Sequence, residues 1–296
     1  MSSRWYRANL HTHTTNSDGD SPPEVVVAWY RDADYDALAI TDHDLLTDPE
    51  TLRGHAGRML LIRGEELTSA DVHVNGLGIR ATVPHATGES AVERLQGNVD
   101  LVRGAGGVPF VNHPNFRWQL TAEDIARLRD NRIFEVWNAG PDVNNGGRPD
   151  RPSTEAIWDA VLSQGIRLVG IADDDAHHYR SWGHLYSNPG RAWVVIRADE
   201  LTEGALLTAL EAGEVYASTG VELVDLDTSR RTLAIDILQR HDSHYLTTFI
   251  GREGRVLDVV DGPEPRYRIT GSEGYVRARI DDSDGMRAWV QPRFVE

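Results

Sequence analysis

The first apolar run ends in His11-Thr-His13-Thr-Thr-Asn-Ser-Asp18-Gly19, and this stretch restricts the possible folds more than any other. Side chains along an extended segment alternate in direction, so His11 and His13 leave from one face and converge. Asp18 follows where the strand gives way to a turn, adding an oxygen to two imidazole nitrogens. That combination is metal-ligand chemistry. The same kind of stop recurs in Ile40-Thr-Asp42-His43-Asp44, in Leu61-Ile-Arg-Gly-Glu65-Glu66-Leu-Thr68, at His73, in Asn112-His113-Pro114 and in Ile171-Ala-Asp173-Asp174-Asp175-Ala-His177-His178. Clustered carboxylates repel one another unless cations neutralise them.

These stops end β-like runs near residues 8–13, 37–41, 59–63, 72–79, 108–112, 133–137 and 168–172, with a further run at 192–196. Helical patterns lie between them, which predicts parallel βα units and an α/β barrel with its chemistry at the C-terminal strand ends. Ser21-Pro-Pro-Glu24 predicts a capped helix that turns Val25, Val26, Trp29 and Tyr30 inward. Thr121-Ala-Glu-Asp124 and Ser153-Thr-Glu155 predict further helix starts, and Gly165 and Gly213 predict stops. From about Val221 the texture changes to short β-like runs at 223–226, 233–238, 246–250, 256–260, 267–270, 275–280 and 288–290. Asp281-Asp-Ser-Asp-Gly285 is a hairpin signal. The expected organisation is a barrel over residues 1–219 and a small antiparallel β-sandwich-like domain over 220–296. No internal repeat or low-complexity segment is present.

Composition removes several chemistries. The chain has no cysteine and no lysine, and its net charge of −16 sets 30 arginines against 46 acids. Thiolate metal sites, disulfides, Schiff bases and a P-loop lysine are therefore excluded. The acidic balance argues against nucleic acid as a partner, except as a small nucleotide or phosphodiester substrate. No apolar run approaches membrane-spanning length, so a cytoplasmic protein acting on a small molecule is expected.

The motifs His-x-His-x-x-x-Ser-Asp-Gly, Thr-Asp-His, Gly-x-Glu-apolar-Thr, His-Val-x-Gly-Leu, Asn-His-Pro and Asp-Ala-His occur in this order across residues 8–178. In this the chain resembles the PHP (polymerase and histidinol phosphatase) superfamily of metal-dependent hydrolases. Trp5-Tyr-Arg-Ala-Asn-Leu-His11, Tyr275-Val-Arg-Ala-Arg and Ala288-Trp-Val-Gln-Pro292 are similar to its carbaryl-hydrolase-like (CehA/McbA) branch. The resemblance implies a distorted (βα)7 TIM-like barrel with two to three divalent ions, zinc, manganese or iron. It implies one ion on His11, His13, Glu66 and Asp175, a second sharing Glu66 and adding His73 and His113, and a third on Asp18, His43 and His177. Glu66 is preferred to Glu65 because the family acid stands two residues after the glycine. Glu65 stands where the family usually carries an apolar residue.

Beyond the ligands, Asp42 and Asp173 are expected to accept hydrogen bonds from ligand histidines. Arg117 and Trp118, just after Asn-His-Pro, are candidates for holding an anionic or aromatic substrate group, and Asn138 for donating a hydrogen bond at the same rim. Asp173, His178 or a metal-bound water could protonate the leaving group, while Arg117 stabilises developing negative charge. His55, His85, His184, His241 and His244 lie outside the motifs. The leading function is hydrolysis of a small phosphate mono- or diester. Ester or carbamate hydrolysis at the same metals is the alternative, and a non-catalytic metal-binding module a second one.

Overall fold

The computed structural model describes residues 3–228 and 231–295. Three parallel strands open the chain: β1 (Arg4–Asn9), β2 (Ala37–Ala39) and β3 (Leu60–Ile62), joined through helices α1 (Pro23–Asp32) and α2 (Arg53–Ala56). One residue after β3 the chain enters β4 (Gly64–Ser69), which folds back onto β5 (Val72–Leu77). Then come α3 (Ala91–Gly104), β6 (Val108–Val111), α4 (Ala122–Ala126), β7 (Ile133–Asn138), α5 (Thr154–Leu162) and β8 (Val169–Asp173). Strands β4 to β8 form one five-stranded sheet in sequence order. After a long loop, β9 (Trp193–Ala198), α6 (Glu203–Ala212) and β10 (Val215–Ser218) add antiparallel to the outer side of β1.

This is a mixed α/β fold with large sheets and few helices, not a regular ring of seven βα units. The departure begins at Ala70-Asp71. Two residues between β4 and β5 can only make a hairpin, because a parallel crossover needs a dozen or more. Ala70 takes the left-handed backbone, φ 57°, that such a turn demands. Glu66 consequently lies inside a strand, not at a strand end. The two sheets are stitched beyond their strand ends by single bridges, Thr12 to Ala176 and His43 to Glu66.

The C-terminal strands behave as their pattern predicts, but they do not stand apart. Strands β13 (Tyr245–Gly251), β14 (Arg255–Asp261), β16 (Tyr275–Asp282) and β17 (Arg287–Phe294) extend the first sheet through β17 and β10, giving nine strands from β14 to β3. The remaining three, β11 (Leu223–Asp227), β12 (Thr232–Ile237) and β15 (Arg266–Arg268), form a small second sheet. Leu226, Leu233 and Ile235 share one core with Phe249, Val276, Ala278 and Ile280, and that core continues to Val26, Tyr30 and Leu38 of the first part. The Asp281–Gly285 hairpin is present between β16 and β17.

Helix ends follow the cap chemistry in part. Thr121 and Asp124 close a reciprocal capping box, Ser153 accepts from Ala156 N, and Gly213 ends α6 with φ 76°. Ser21 does not cap α1, because its hydroxyl bonds Asp20 and Pro22 takes the cap position. Val25 is 46% exposed, so α1 turns Val26, Trp29 and Tyr30 inward but not Val25, and buries Val27 as well.

A buried guanidinium ties the late strands to the early ones. Arg277 on β16 grips Asp159 of α5 with two bonds of 2.7 Å and Glu155 with one of 2.8 Å, while Tyr275 donates to Asp159 at 2.7 Å. On β17, Gln291 donates to Gly170 O at 2.7 Å and accepts from Gly170 N at 2.9 Å, so a side-chain amide substitutes for a neighbouring strand at β8. Arg277→Ala would leave Asp159 buried and unpaired, and should lower stability by about 3–5 kcal/mol in urea unfolding. Burial raises the Glu155 carboxyl, but Arg277 and Arg279 outweigh it and hold it below the ordinary range. Its contribution is therefore complete above the unfolded value of about 4.3 and is lost as pH falls through the folded one. Glu155→Gln should flatten that acid limb of the stability profile.

Candidate metal centre

β1 ends at Asn9, but Leu10 to His13 run on extended between the ends of β2 and β8. His13 N donates to Ala176 O and Thr41 N to Thr12 O, each at 2.9 Å. This keeps the two-residue alternation that aims His11 and His13 the same way, with ring centroids 5.2 Å apart. The chain then doubles back, Gly19 N donating to Thr14 O. A Cβ on Gly19 would fall 2.7 Å from the His13 carbonyl, so only glycine closes the loop this tightly. The closure returns Asp18 to within 3.6 Å of His13 Nδ1.

Glu66 occupies the middle of the cluster. Its Oε2 lies 3.4 Å from His11 Nε2, 3.3 Å from His13 Nε2 and 3.0 Å from His43 Nδ1. Its other oxygen, Oε1, lies 2.9 Å from His73 Nδ1 and 3.4 Å from His113 Nε2. Asp175 Oδ1 stands 3.2 Å from both His11 Nε2 and His13 Nε2. A tetrahedral ion with bonds of about 2.0–2.1 Å has ligand-to-ligand edges of roughly 3.3 Å. The four distances from the His11 and His13 Nε2 atoms to Glu66 Oε2 and Asp175 Oδ1 match that edge. A further group lies outward, with Asp18 3.3 Å from His177 Nε2 and 3.5 Å from His43 Nε2.

His11 Nε2, His13 Nε2 and Glu66 Oε2 are buried and have no hydrogen-bond partner. Orphaned buried polar atoms are rare because each loses its hydration uncompensated. Three that share one neighbourhood, all nitrogen or carboxylate oxygen, fit a divalent cation of the zinc, manganese or iron type. Among the described residues, His11, His13, Asp18, His43, Glu66, His73, His113, Asp175 and His177 fall into four overlapping groups with cation-binding spacing.

Their protonation follows from the same crowding. Burial alone would raise Glu66, yet His11, His73 and His43 hold it well below the carboxylate range. Asp175 is likewise depressed, by His11, His13 and His177 against its burial. Burial depresses the imidazoles, but the acids outweigh it: His43 rises to about 10 through Glu66 and Asp18, and His177 to about 9 through Asp18 and Asp175.

No family model matches the chain. Over 162 residues, 47% of this chain and 72% of the relative, it is 29% identical to an uncharacterised protein of Methanocaldococcus jannaschii. A solved structure of a two-domain protein from Bacteroides vulgatus, containing a predicted PHP-like metal-dependent phosphoesterase, superposes with a TM-score of 0.58 at 17% identity. The match covers 98% of this chain and 95% of that one, so both parts of the fold are shared.

Several expected roles change in the structure. Asp42 reaches no ligand histidine; it accepts from Thr14 N, Thr14 Oγ1, Ser17 Oγ and Thr47 Oγ1 and so shapes the loop under Asp18. Asp173 is fully buried and accepts from Leu10 N at 2.7 Å, with burial and then Glu135 holding its carboxyl well above the usual range. It offers no surface to a substrate, and among the described residues no hydrogen bond from a histidine reaches it. Asn138 is also buried: its amide nitrogen donates to Glu135 and Asp175 and its oxygen accepts from Gly140 N, so nothing remains for a substrate. Glu65 faces away from the cluster and accepts from Val83 N at 2.6 Å.

Arg117, Trp118 and His178 remain at the rim. Arg117 is 64% exposed and pairs with Asp71 at 2.5 Å, its guanidinium 5.1 Å from the Phe116 ring that lies against His113. Trp118 lies under Arg148, and His178 sits beside Tyr186 with ring centroids 5.1 Å apart.

The acceptor behind His11 is Glu135, at 2.7 Å from Nδ1; Thr68 Oγ1 lies 2.6 Å from His43 Nδ1, and Asn112 Nδ2 donates to Glu66 at 2.6 Å. No motif marked Glu135. The available signal was an acid in the middle of the apolar run Ile-Phe-Glu-Val-Trp.

Two tests follow. His113→Ala and Asp175→Ala should each remove most of the bound metal, read by equilibrium dialysis, and most of the activity. Because His43 and His177 carry protons at pH 7, an ion must displace them, so apparent affinity should rise with pH. Zinc added to lightly buffered protein at pH 7 should acidify the solution; binding without proton release would contradict the assignment.

Proposed function

We propose that the protein is a metal-dependent hydrolase whose leading substrate class is a small phosphate mono- or diester. The observation that carries this reading is the division of Glu66, one oxygen toward His11, His13 and His43 and the other toward His73 and His113. A carboxylate so divided suits two ions held side by side, which is the arrangement used for in-line displacement at phosphorus. In this reading His11, His13, Glu66 and Asp175 hold one ion, His73 and His113 with Glu66 a second, and Asp18, His43 and His177 a third. Bound divalent ions would supply positive charge that activates water and stabilises anionic oxygen.

The chain's own groups then select and orient the substrate. Arg117 is exposed over the Phe116 ring that packs against His113, and its fork matches phosphate oxygens once it leaves Asp71. Arg117 and the following Trp118 both hold left-handed backbones, φ 49° and 58°, a strain that concentrates at binding sites. In this reading His178, half-buried beside Tyr186, hands a proton to a leaving group. We assign residues 1–219 to the metal-binding unit and 220–296 to a β-rich cover, acting on a small molecule in the cytoplasm. Among the described residues no helix is long and apolar enough to cross a membrane.

A second reading rests on the loop after His178. Trp182 and Leu185 are 55% and 72% exposed there, beside Tyr186, and would suit an apolar leaving group. That favours an aryl ester or carbamate, in keeping with the carbaryl-hydrolase-like motifs. Metal-loaded protein should be offered p-nitrophenyl phosphate, bis-p-nitrophenyl phosphate and 1-naphthyl N-methylcarbamate. Turnover of a phosphate ester is expected. Turnover of the carbamate alone would reverse the order, and no turnover by fully loaded protein would leave a binding module.

A further inference from the structure

Glu135 lies at the centre of β7 with no exposed surface, yet it contributes no donor atom to the metal cluster. Its Oε1 accepts from His11 Nδ1 at 2.7 Å. Its Oε2 accepts from the His113 backbone N–H at 2.6 Å and from Asn138 Nδ2 at 2.8 Å. Asn138 Nδ2 also donates to Asp175 Oδ2 at 3.1 Å. One buried carboxylate and one amide thus touch three of the groups that face the proposed ions, His11, His113 and Asp175.

The backbone is arranged to allow this. Three residues apart on a regular strand, Glu135 and Asn138 would point to opposite faces. The β7–β8 register slips between Glu135 and Trp137, and this bulge brings both side chains to the same side. His113 and Asp175 themselves hold left-handed backbones, φ 21° and 49°, which non-glycine residues adopt only when surrounding bonds over-determine them. The Glu135 bond to the His113 N–H is a bond of that kind, as is the bond from Asp175 N to His11 O, while Asn138 holds the Asp175 side chain.

We propose that Glu135 and Asn138 are a positioning pair for the metal centre, resting on the metal-dependent reading above. Glu135 fixes the Nδ1–H tautomer of His11, so that Nε2 faces the ions, and holds the His113 backbone. Asn138 keeps one oxygen of Asp175 occupied so that the other faces His11 and His13. Partners placed behind metal-binding histidines in this way alter affinity by about 10–100-fold when removed.

The test measures zinc and manganese affinity of wild type, Glu135→Gln and Asn138→Ala by competition with a chelating indicator. Zinc-loaded protein labelled with 15N-histidine reports the Nδ1–H of His11. Glu135→Gln should weaken affinity by roughly 10–100-fold and shift or erase that resonance. Asn138→Ala should weaken affinity less and leave the His11 resonance in place, which keeps the proposal testable if Glu135→Gln does not fold. Unchanged affinity in either variant, alongside a wild type that binds, would overturn the positioning role and leave the metal centre standing. A wild type that takes up neither ion would overturn both.

Discussion

A carboxylate surrounded by imidazoles organises this molecule. Glu66 is almost fully buried and has five histidine nitrogens within 3.4 Å. A charge removed from water costs several kcal/mol unless it is paired, so every element that delivers a partner must arrive together. The β4–β5 hairpin supplies Glu66 and His73 at once, and the bridges Thr12 to Ala176 and His43 to Glu66 lock the remaining suppliers against it. Sheet geometry and site geometry are here the same constraint.

The site was largely legible because its signals are local. Alternation along an extended segment is enough to aim His11 and His13 together, and the same alternation separates Glu66 from Glu65, which turns to Val83. Gly19 closes the Asp18 loop through contacts within a handful of residues. The hidden parts depend on partners distant in sequence. Asp42 looked like an acceptor for a neighbouring histidine, but four hydroxyl and amide donors on Thr14, Ser17 and Thr47 reach it first. Glu135 is separated from His11 by 124 positions and has no flanking motif, so only the fold reveals it.

The fold class was legible more coarsely. Alternating β and helical patterns indicate α/β, but they do not report strand direction. Ala70-Asp71, too short for a crossover, turned an expected parallel unit into a hairpin. The late β segment was recognised by its pattern, whereas its union with the first sheet rests on β10 pairing with β17, on Arg277 reaching α5 and on Gln291 completing the edge of β8. Such contacts leave no trace in periodicity. They make the C-terminal strands part of the support beneath β7, which carries Glu135 and Asn138, and β8, which leads two residues on to Asp175.

The central claim is that the imidazoles and acids gathered around Glu66 exist to hold divalent ions. Elemental analysis of protein purified without chelators tests it most directly, since it counts and identifies bound ions in one measurement. Two to three equivalents of zinc, manganese or iron per chain are expected. Protein that is fully folded yet carries no divalent ion, and acquires none on dialysis against these metals, would contradict the account.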